Sequence, residues 1–357
     1  MAALSPSQSH SSGWLFCRAA LAVLALAGLL LGGCQRQPLP VELSGATMGT
    51  TWHVTYLPVA GGLEPAEVQA ELEDLLVAVN DSMSTWQPDS EISRFNRSAP
   101  GDWVPVSAPF AEVVAAALAL GDLSGGAYDV TVGPLVELWG FGPARPRMDL
   151  PSAAAIRERR EQVGQQFLEL DAARGRLRRL REVELDLSSI AKGYAVDVLA
   201  EALAAQQIAD FLVEVGGEMR VAGLSPRGDA WRVAIERPQP GARSVALGIA
   251  LTDAAVATSG DYRNYFEVDG RRYSHSIDPR TGRPVQHDLV SVTVIAADCM
   301  RADAWATALT VLGAEEALAL AEAQGLAVYL LRRDGERIVP VYSSAFEPWL
   351  EASNQTH

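Results

Sequence analysis

Asp303 and Thr307 stand four residues apart in the run Ala302-Asp303-Ala304-Trp305-Ala306-Thr307. On an α-helix that spacing puts a carboxylate and a hydroxyl on one face, a single turn apart. Two hard oxygen donors so placed suit Mg²⁺ or Ca²⁺. A second group is Asp186-Leu187-Ser188-Ser189-Ile190-Ala191-Lys192-Gly193-Tyr194. A strand is predicted to end at Asp186 and a helix to begin near Lys192, and the free N–H groups at such a helix start favour phosphate. A third runs from Ala257-Thr258-Ser259-Gly260-Asp261-Tyr262-Arg263 into a hairpin and on to Ser274-His275-Ser276-Ile277-Asp278-Pro279-Arg280-Thr281-Gly282. Its small residues admit a ligand close to the backbone, and His275 sits at a strand end before a Pro/Gly turn. Gly125-Gly126-Ala127-Tyr128-Asp129 and Val215-Gly216-Gly217-Glu218 are glycine-rich bends. Each piece alone also has a purely structural reading. An Asp in a first helical turn complements the dipole, Ser188 or Ser189 can be an N-cap, and a Gly pair can mark a bulge.

The elements that must position these residues are interspersed helices and hairpins. Helical periodicity predicts Pro65 to about Ser82, Pro109 to Leu123, Ile190 to Gln206, Met300 to Leu312 and Ala314 to Gln324. Strand-like runs are Thr50–Tyr56, Val183–Leu187, Phe211–Val215, Trp231–Glu236, Val245–Leu251, Tyr262–Val268, Arg272–Ile277, Val290–Ala296, Leu326–Leu331 and Ile338–Tyr342. Asp269-Gly270 is a strong hairpin signal. Without a regular βαβ alternation, the class is α+β.

Composition narrows the function. The 357 residues are 48% hydrophobic, enough for a large core. A formal net charge of -15 argues against nucleic acid as a partner, and a polyphosphate would need localised positive charge or a metal ion. Residues Ala19 to Leu31 form an apolar run too short to span a bilayer comfortably, preceded by Arg18 and followed by Gly32-Gly33-Cys34. This reads as a lipoprotein signal peptide over residues 1–33, with Cys34 lipidated and a tether over 34–45. The expected location is the periplasmic side of the cell membrane, the inner membrane being favoured, although Gln35 stands where an Asp would favour inner-membrane retention. Of the 3 cysteines, only Cys299 remains after processing and lipidation, so no disulfide framework is expected.

Taken in order, the blocks resemble the ApbE family of FAD:protein FMN transferases. The likeness extends from Ala46-Thr47-Met48-Gly49-Thr50 through Met83-Ser84-Thr85-Trp86 and Ser93-Arg94-Phe95-Asn96 to Ala327-Val328-Tyr329. The resemblance implies a bilobed α+β domain over 46–352, of mixed, largely antiparallel sheets with flanking helices and the active site in a cleft. It implies Mg²⁺ held by Ser189, Asp303 and Thr307. It implies FAD contacts from Met48, Trp86, Ala127, Tyr128, Asp129, Asp186, Lys192 and Ile277. The implied reaction moves FMN from FAD to a Thr or Ser hydroxyl of a flavin-accepting redox subunit, such as those of sodium-pumping quinone reductases, and releases AMP. His275 is the candidate general base and Arg263 a candidate phosphate contact. The alternatives are an FAD pyrophosphatase, a flavin-binding lipoprotein without turnover, and a solute-binding lipoprotein.

Overall fold

Alternate residues of the strand Thr50–Tyr56 disappear from solvent: Trp52, Val54 and Tyr56 are buried, whereas Thr51 and His53 are exposed. That period of two is the signature of a strand with one face on a core. The structure is a computed structural model, and it describes residues 39–142, 150–238, 244–260 and 265–354. The signal segment, Cys34 and Arg263 lie outside the described residues.

In chain order the elements begin with β1 (Val41–Thr47), β2 (Thr50–Tyr56), α1 (Pro65–Met83), α2 (Glu91–Asn96), β3 (Val104–Pro105), α3 (Ala108–Leu123), α4 (Gly133–Trp139) and α5 (Ala153–Arg160). They continue with β4 (Leu168–Asp171), β5 (Arg176–Arg179), α6 (Ala191–Ala205), β6 (Phe211–Val215), β7 (Glu218–Ala222), β8 (Trp231–Arg237), β9 (Ser244–Leu251) and β10 (Ala254–Gly260). The last are β11 (Tyr265–Val268), β12 (Arg271–Ser274), β13 (Ile277–Asp278), β14 (Arg283–Pro284), β15 (Leu289–Ala296), α7 (Cys299–Leu312), α8 (Ala314–Gln324), β16 (Ala327–Asp334), β17 (Arg337–Tyr342) and α9 (Glu347–Asn354).

Eight strands form one sheet in the order β1-β2-β6-β7-β10-β15-β16-β17. Every strand pairing among the described residues is antiparallel, in line with the expected α+β class of largely antiparallel sheets with flanking helices. The interior strand β15 is buried along almost its whole length, because both faces of the sheet are covered. Val292 and Val294 join the larger apolar cluster with α1, α3, α6 and α7, while Ile295 joins a second cluster with the β8–β9 hairpin and Phe346. A third, smaller cluster packs Leu135, Trp139 and Ile156 of α4 and α5 against Tyr273 and Ile277. From Leu39 onward these clusters belong to one compact unit.

Several local expectations are revised. Strand β1 starts at Val41, within the stretch read as tether, so the folded chain begins before residue 46. Residues 183–187 form no ladder; the side chain of Asn96 instead accepts from Leu185 N (2.8 Å) and donates to Leu185 O (2.9 Å). The small-residue run at Ala257–Gly260 lies on β10, inside the main sheet, not in a loop. The β11–β12 hairpin turns at Asp269 (φ 53) and Gly270 (φ 73). Left-handed conformations at both turn residues match the strand twist, which is why Asp-Gly signals such a hairpin.

Candidate functional site

Helices α6 and α7 cross so closely that a Cβ on Gly193 would sit 2.3 Å from the carbonyl oxygen of Cys299. Only glycine allows that approach. At the crossing each helix supplies a carboxylate to the amides that begin the other. Asp303 of α7 accepts from Gly193 N at 3.0 Å, and Asp197 of α6 accepts from Cys299 N at 2.9 Å and Met300 N at 2.8 Å. The first amides of a helix lack intrahelical partners and carry the positive end of its dipole, so the reciprocal caps stabilise both ends. Ser188 and Ser189 therefore do not cap α6; its N-cap is Ile190, without a side-chain bond, and Asp303 takes that role.

This crossing forms the floor of a cavity of about 530 Å³, within the range of small-molecule sites. Every expected site residue that the structure describes lines the cavity except Met48: Trp86, Ala127, Tyr128, Asp129, Asp186, Ser189, Lys192, His275, Ile277, Asp303 and Thr307. Met48 is placed in the β1–β2 turn with φ 49, half-buried against the larger apolar cluster.

Charge on the floor is shared among three elements. Lys192 Nζ lies 2.8 Å from Glu218 Oε1 on β7 and 3.7 Å from Asp303 Oδ2 on α7. Both carboxylates are buried, and burial pushes Asp303 up from the usual carboxylate range against the lowering effect of Lys192. Desolvation likewise carries Glu218 up to about 7, again opposed by Lys192. The two acids raise the Lys192 ammonium above its ordinary range despite the opposing desolvation. Oε2 of Glu218 is buried without a hydrogen-bond partner. An unsatisfied buried acceptor is costly, and Glu218 is part of the cavity lining.

Hydroxyls surround this group. Ser259 Oγ on β10 lies 3.3 Å from Thr307 Oγ1 on α7, and Ser189 Oγ donates to Tyr128 Oη at 2.9 Å. Burial raises the Tyr128 hydroxyl far above its ordinary range, so it stays protonated. Two further acids of the lining shape loops. Asp129 accepts from Thr131 N (2.8 Å), Thr131 Oγ1 (2.6 Å) and Gln165 N (3.0 Å), and Asp186 accepts from Ser188 N (2.9 Å). The rim is aromatic. Trp86 lines the cavity while 71% exposed, and Phe141 meets His275 edge-on with ring centroids 6.3 Å apart.

Among the described residues no three His, Cys, Asp or Glu gather as a metal centre. The expected donor set is of another kind, one carboxylate with alcohols, which suits a cation that keeps waters and takes phosphate oxygens as ligands. Sequence reasoning left Glu218 as part of a glycine bend and did not single out Ser259. A buried acid gains meaning only when its cation is known, and Lys192 is far from it in sequence.

The ApbE family model matches residues 48–330. A FAD:protein FMN transferase of Vibrio cholerae is 46% identical over 330 residues, covering 92% of this chain and 98% of that protein. One from Escherichia coli is 38% identical over 346 residues, covering 92% and 96%. The solved structure of the flavin transferase ApbE from Vibrio cholerae superposes with a TM-score of 0.81 at 43% identity, over 87% of this chain and 99% of that one. The apo form of the Pseudomonas stutzeri flavinyl transferase ApbE gives 0.82 at 40% identity, over 89% and 98%. With a family match across most of the length, and this cavity at the helix crossing, the chain belongs to the ApbE family.

Proposed function

We propose that this chain transfers the FMN half of FAD to a Thr or Ser hydroxyl of a partner protein, leaving FMN phosphoester-linked and releasing AMP. The observation that carries the reading is one cavity with two chemistries: a floor of buried Asp303 with half-buried Lys192 and Thr307, suited to a pyrophosphate, and an aromatic rim at Trp86 suited to a flat ring. Met48, Ala127, Tyr128, Asp129, Asp186 and Ile277 complete the proposed FAD contacts.

Asp303 and Thr307, with Ser189, are the residues that would hold Mg²⁺. Bound there, it supplies Lewis-acid polarisation of pyrophosphate oxygens and neutralises charge. The chain's own groups do the rest. Lys192 sets an ammonium against the phosphates, held on the floor by Glu218 and Asp303. The acceptor oxygen attacks the FMN phosphorus, a new P–O bond forms, and the P–O bond to AMP breaks. The hydroxyl proton passes to His275, a step in which a placed base contributes roughly 10² to 10⁴-fold. Tyr128, kept protonated, accepts from Ser189 Oγ and so fixes that hydroxyl at the pocket wall.

The test is to incubate the protein with FAD, Mg²⁺ and a redox subunit carrying an acceptor Thr. Flavin fluorescence on the denatured acceptor supports transfer; release of free FMN and AMP alone points to a pyrophosphatase instead. We also propose that the mature protein is held through acylated Cys34 at the periplasmic face of the cell membrane. The support is the apolar leader ending in Leu31-Gly32-Gly33-Cys34, and palmitate labelling lost in Cys34→Ser would check it. No helix among the described residues is long and apolar enough to cross a membrane.

A further inference from the structure

A second cavity, of about 460 Å³, opens on the other side of the segment that carries His275 and Ile277. Its lining includes Arg271, Arg280 and Arg283 together with Asp278 and His287. Arg280 pairs with Asp278 at 3.0 Å and reaches Glu316 at 3.9 Å. Arg271 instead bonds the amide oxygen of Gln286 and lies over the Tyr273 ring, 5.8 Å from its centroid. Neither Arg271 nor Arg283 has a carboxylate partner among the described residues, and both are exposed at the cavity wall. In a chain of net charge -15, an opening with this excess of guanidinium is against the general trend.

The position of this cavity follows from strand geometry. Successive residues of a strand point to opposite faces. On β13, Ile277 lines the flavin cavity and Asp278 lines the Arg-rich one; Val311 of α7 borders both. The dividing wall is stiff. Trp139 Nε1 donates to Gly282 O at 2.9 Å, and Gly282 has φ +73 where a Cβ would strike Arg160 and Ile156. Guanidinium groups recognise carboxylates through paired N–H donors.

We propose that the Arg271–Arg283 cavity is the docking site for a carboxylate-bearing segment of the acceptor polypeptide, which crosses the β13–β14 wall to present its hydroxyl at the His275 side. This assignment rests on the transferase reading. The segment is a peptide rather than a lipid surface because the basic groups line a recess that directly adjoins the reacting cavity, where a polypeptide can fill both.

The experiment uses the full-length protein, FAD, Mg²⁺ and a redox subunit bearing an acceptor Thr beside a carboxylate-bearing segment. The double variant Arg271→Glu with Arg283→Glu is compared with wild type for transfer, for FAD binding by flavin fluorescence, and for FAD cleavage without acceptor. The expected result is a KM for the acceptor raised roughly ten-fold or more, reduced in salt dependence, with FAD binding and acceptor-free cleavage unchanged. An unchanged acceptor KM overturns the docking site. Weakened FAD binding also overturns it, since the cavity would then belong to the nucleotide. If wild type cleaves FAD yet flavinylates no acceptor, the transferase reading itself fails and the docking site falls with it. Should the double variant misfold, Arg283→Gln alone is expected to raise the acceptor KM about three-fold, and no rise there overturns the proposal.

Discussion

Two cavities share the wall formed by residues 277–284, and they use charge in opposite ways. On the flavin side, Lys192, Glu218 and Asp303 come from three different elements and are largely removed from water. Removing Lys192 leaves both carboxylates without their cation in a low-dielectric site, which is strongly unfavourable. On the other side, Arg271, Arg280 and Arg283 come from one short stretch of chain and face solvent. Their charges are screened and individually contribute little to stability. The difference teaches that the first site is fixed by the fold, so that its geometry and its stability stand or fall together. The second is free to vary with whatever it meets.

The largest expected effect tests the fixed side. Asp303→Asn removes the carboxylate while keeping an oxygen to accept from Gly193 N, so transfer should fall on the order of 10³-fold with near-UV circular dichroism preserved. Retention of a substantial rate would break the contrast, because the buried floor would then not be where chemistry occurs. His275→Asn, at the wall rather than the floor, should lower kcat about 10²-fold and abolish the acidic limb of its pH profile, since a base must be unprotonated to accept the hydroxyl proton. Gly193→Ala probes the crossing itself. With a Cβ forced to 2.3 Å from Cys299 O, a loss of roughly 1–3 kcal/mol is expected in urea unfolding.

A smaller effect is read in pH. Burial raises Glu218 from its ordinary value of 4.5 to about 7. Between those values the folded state holds more protons than the unfolded chain, so this group's contribution to stability declines as pH rises through the window. Thermal unfolding in Glu218→Gln should therefore show a flatter dependence on pH there. An unchanged slope would place Glu218 in water and weaken the comparison. The smallest effect belongs to the open side: Arg283→Ala should alter unfolding free energy by no more than about 0.5 kcal/mol. A larger change would mean that the arginine cavity is structural after all.

Much of this was legible in the chain. The 3.6 period marked α1, α3, α6, α7 and α8 to within a residue or two, and Asp269-Gly270 fixed the β11–β12 hairpin. The Asp303–Thr307 pair needed only helix geometry, and both residues do line the cavity. Short or small-residue segments were harder. Local pattern places Val41–Gly45 in a tether and Val183–Leu187 in a strand and marks no strand at Ala254–Gly260, because the state of these segments is decided by neighbours distant in sequence.

Local spacing by itself determined which groups can share a helical face, where the tight turns fall and which blocks carry the family likeness, since each depends on residues within a turn or two of one another. Only the tertiary structure decided that Asp303 and Asp197 cap each other's helices, that Glu218 stands beside Lys192, and that one strand separates a buried charge cluster from an exposed one. The physical reason is that the energy of a charge depends on burial and on partners brought from elsewhere in the chain.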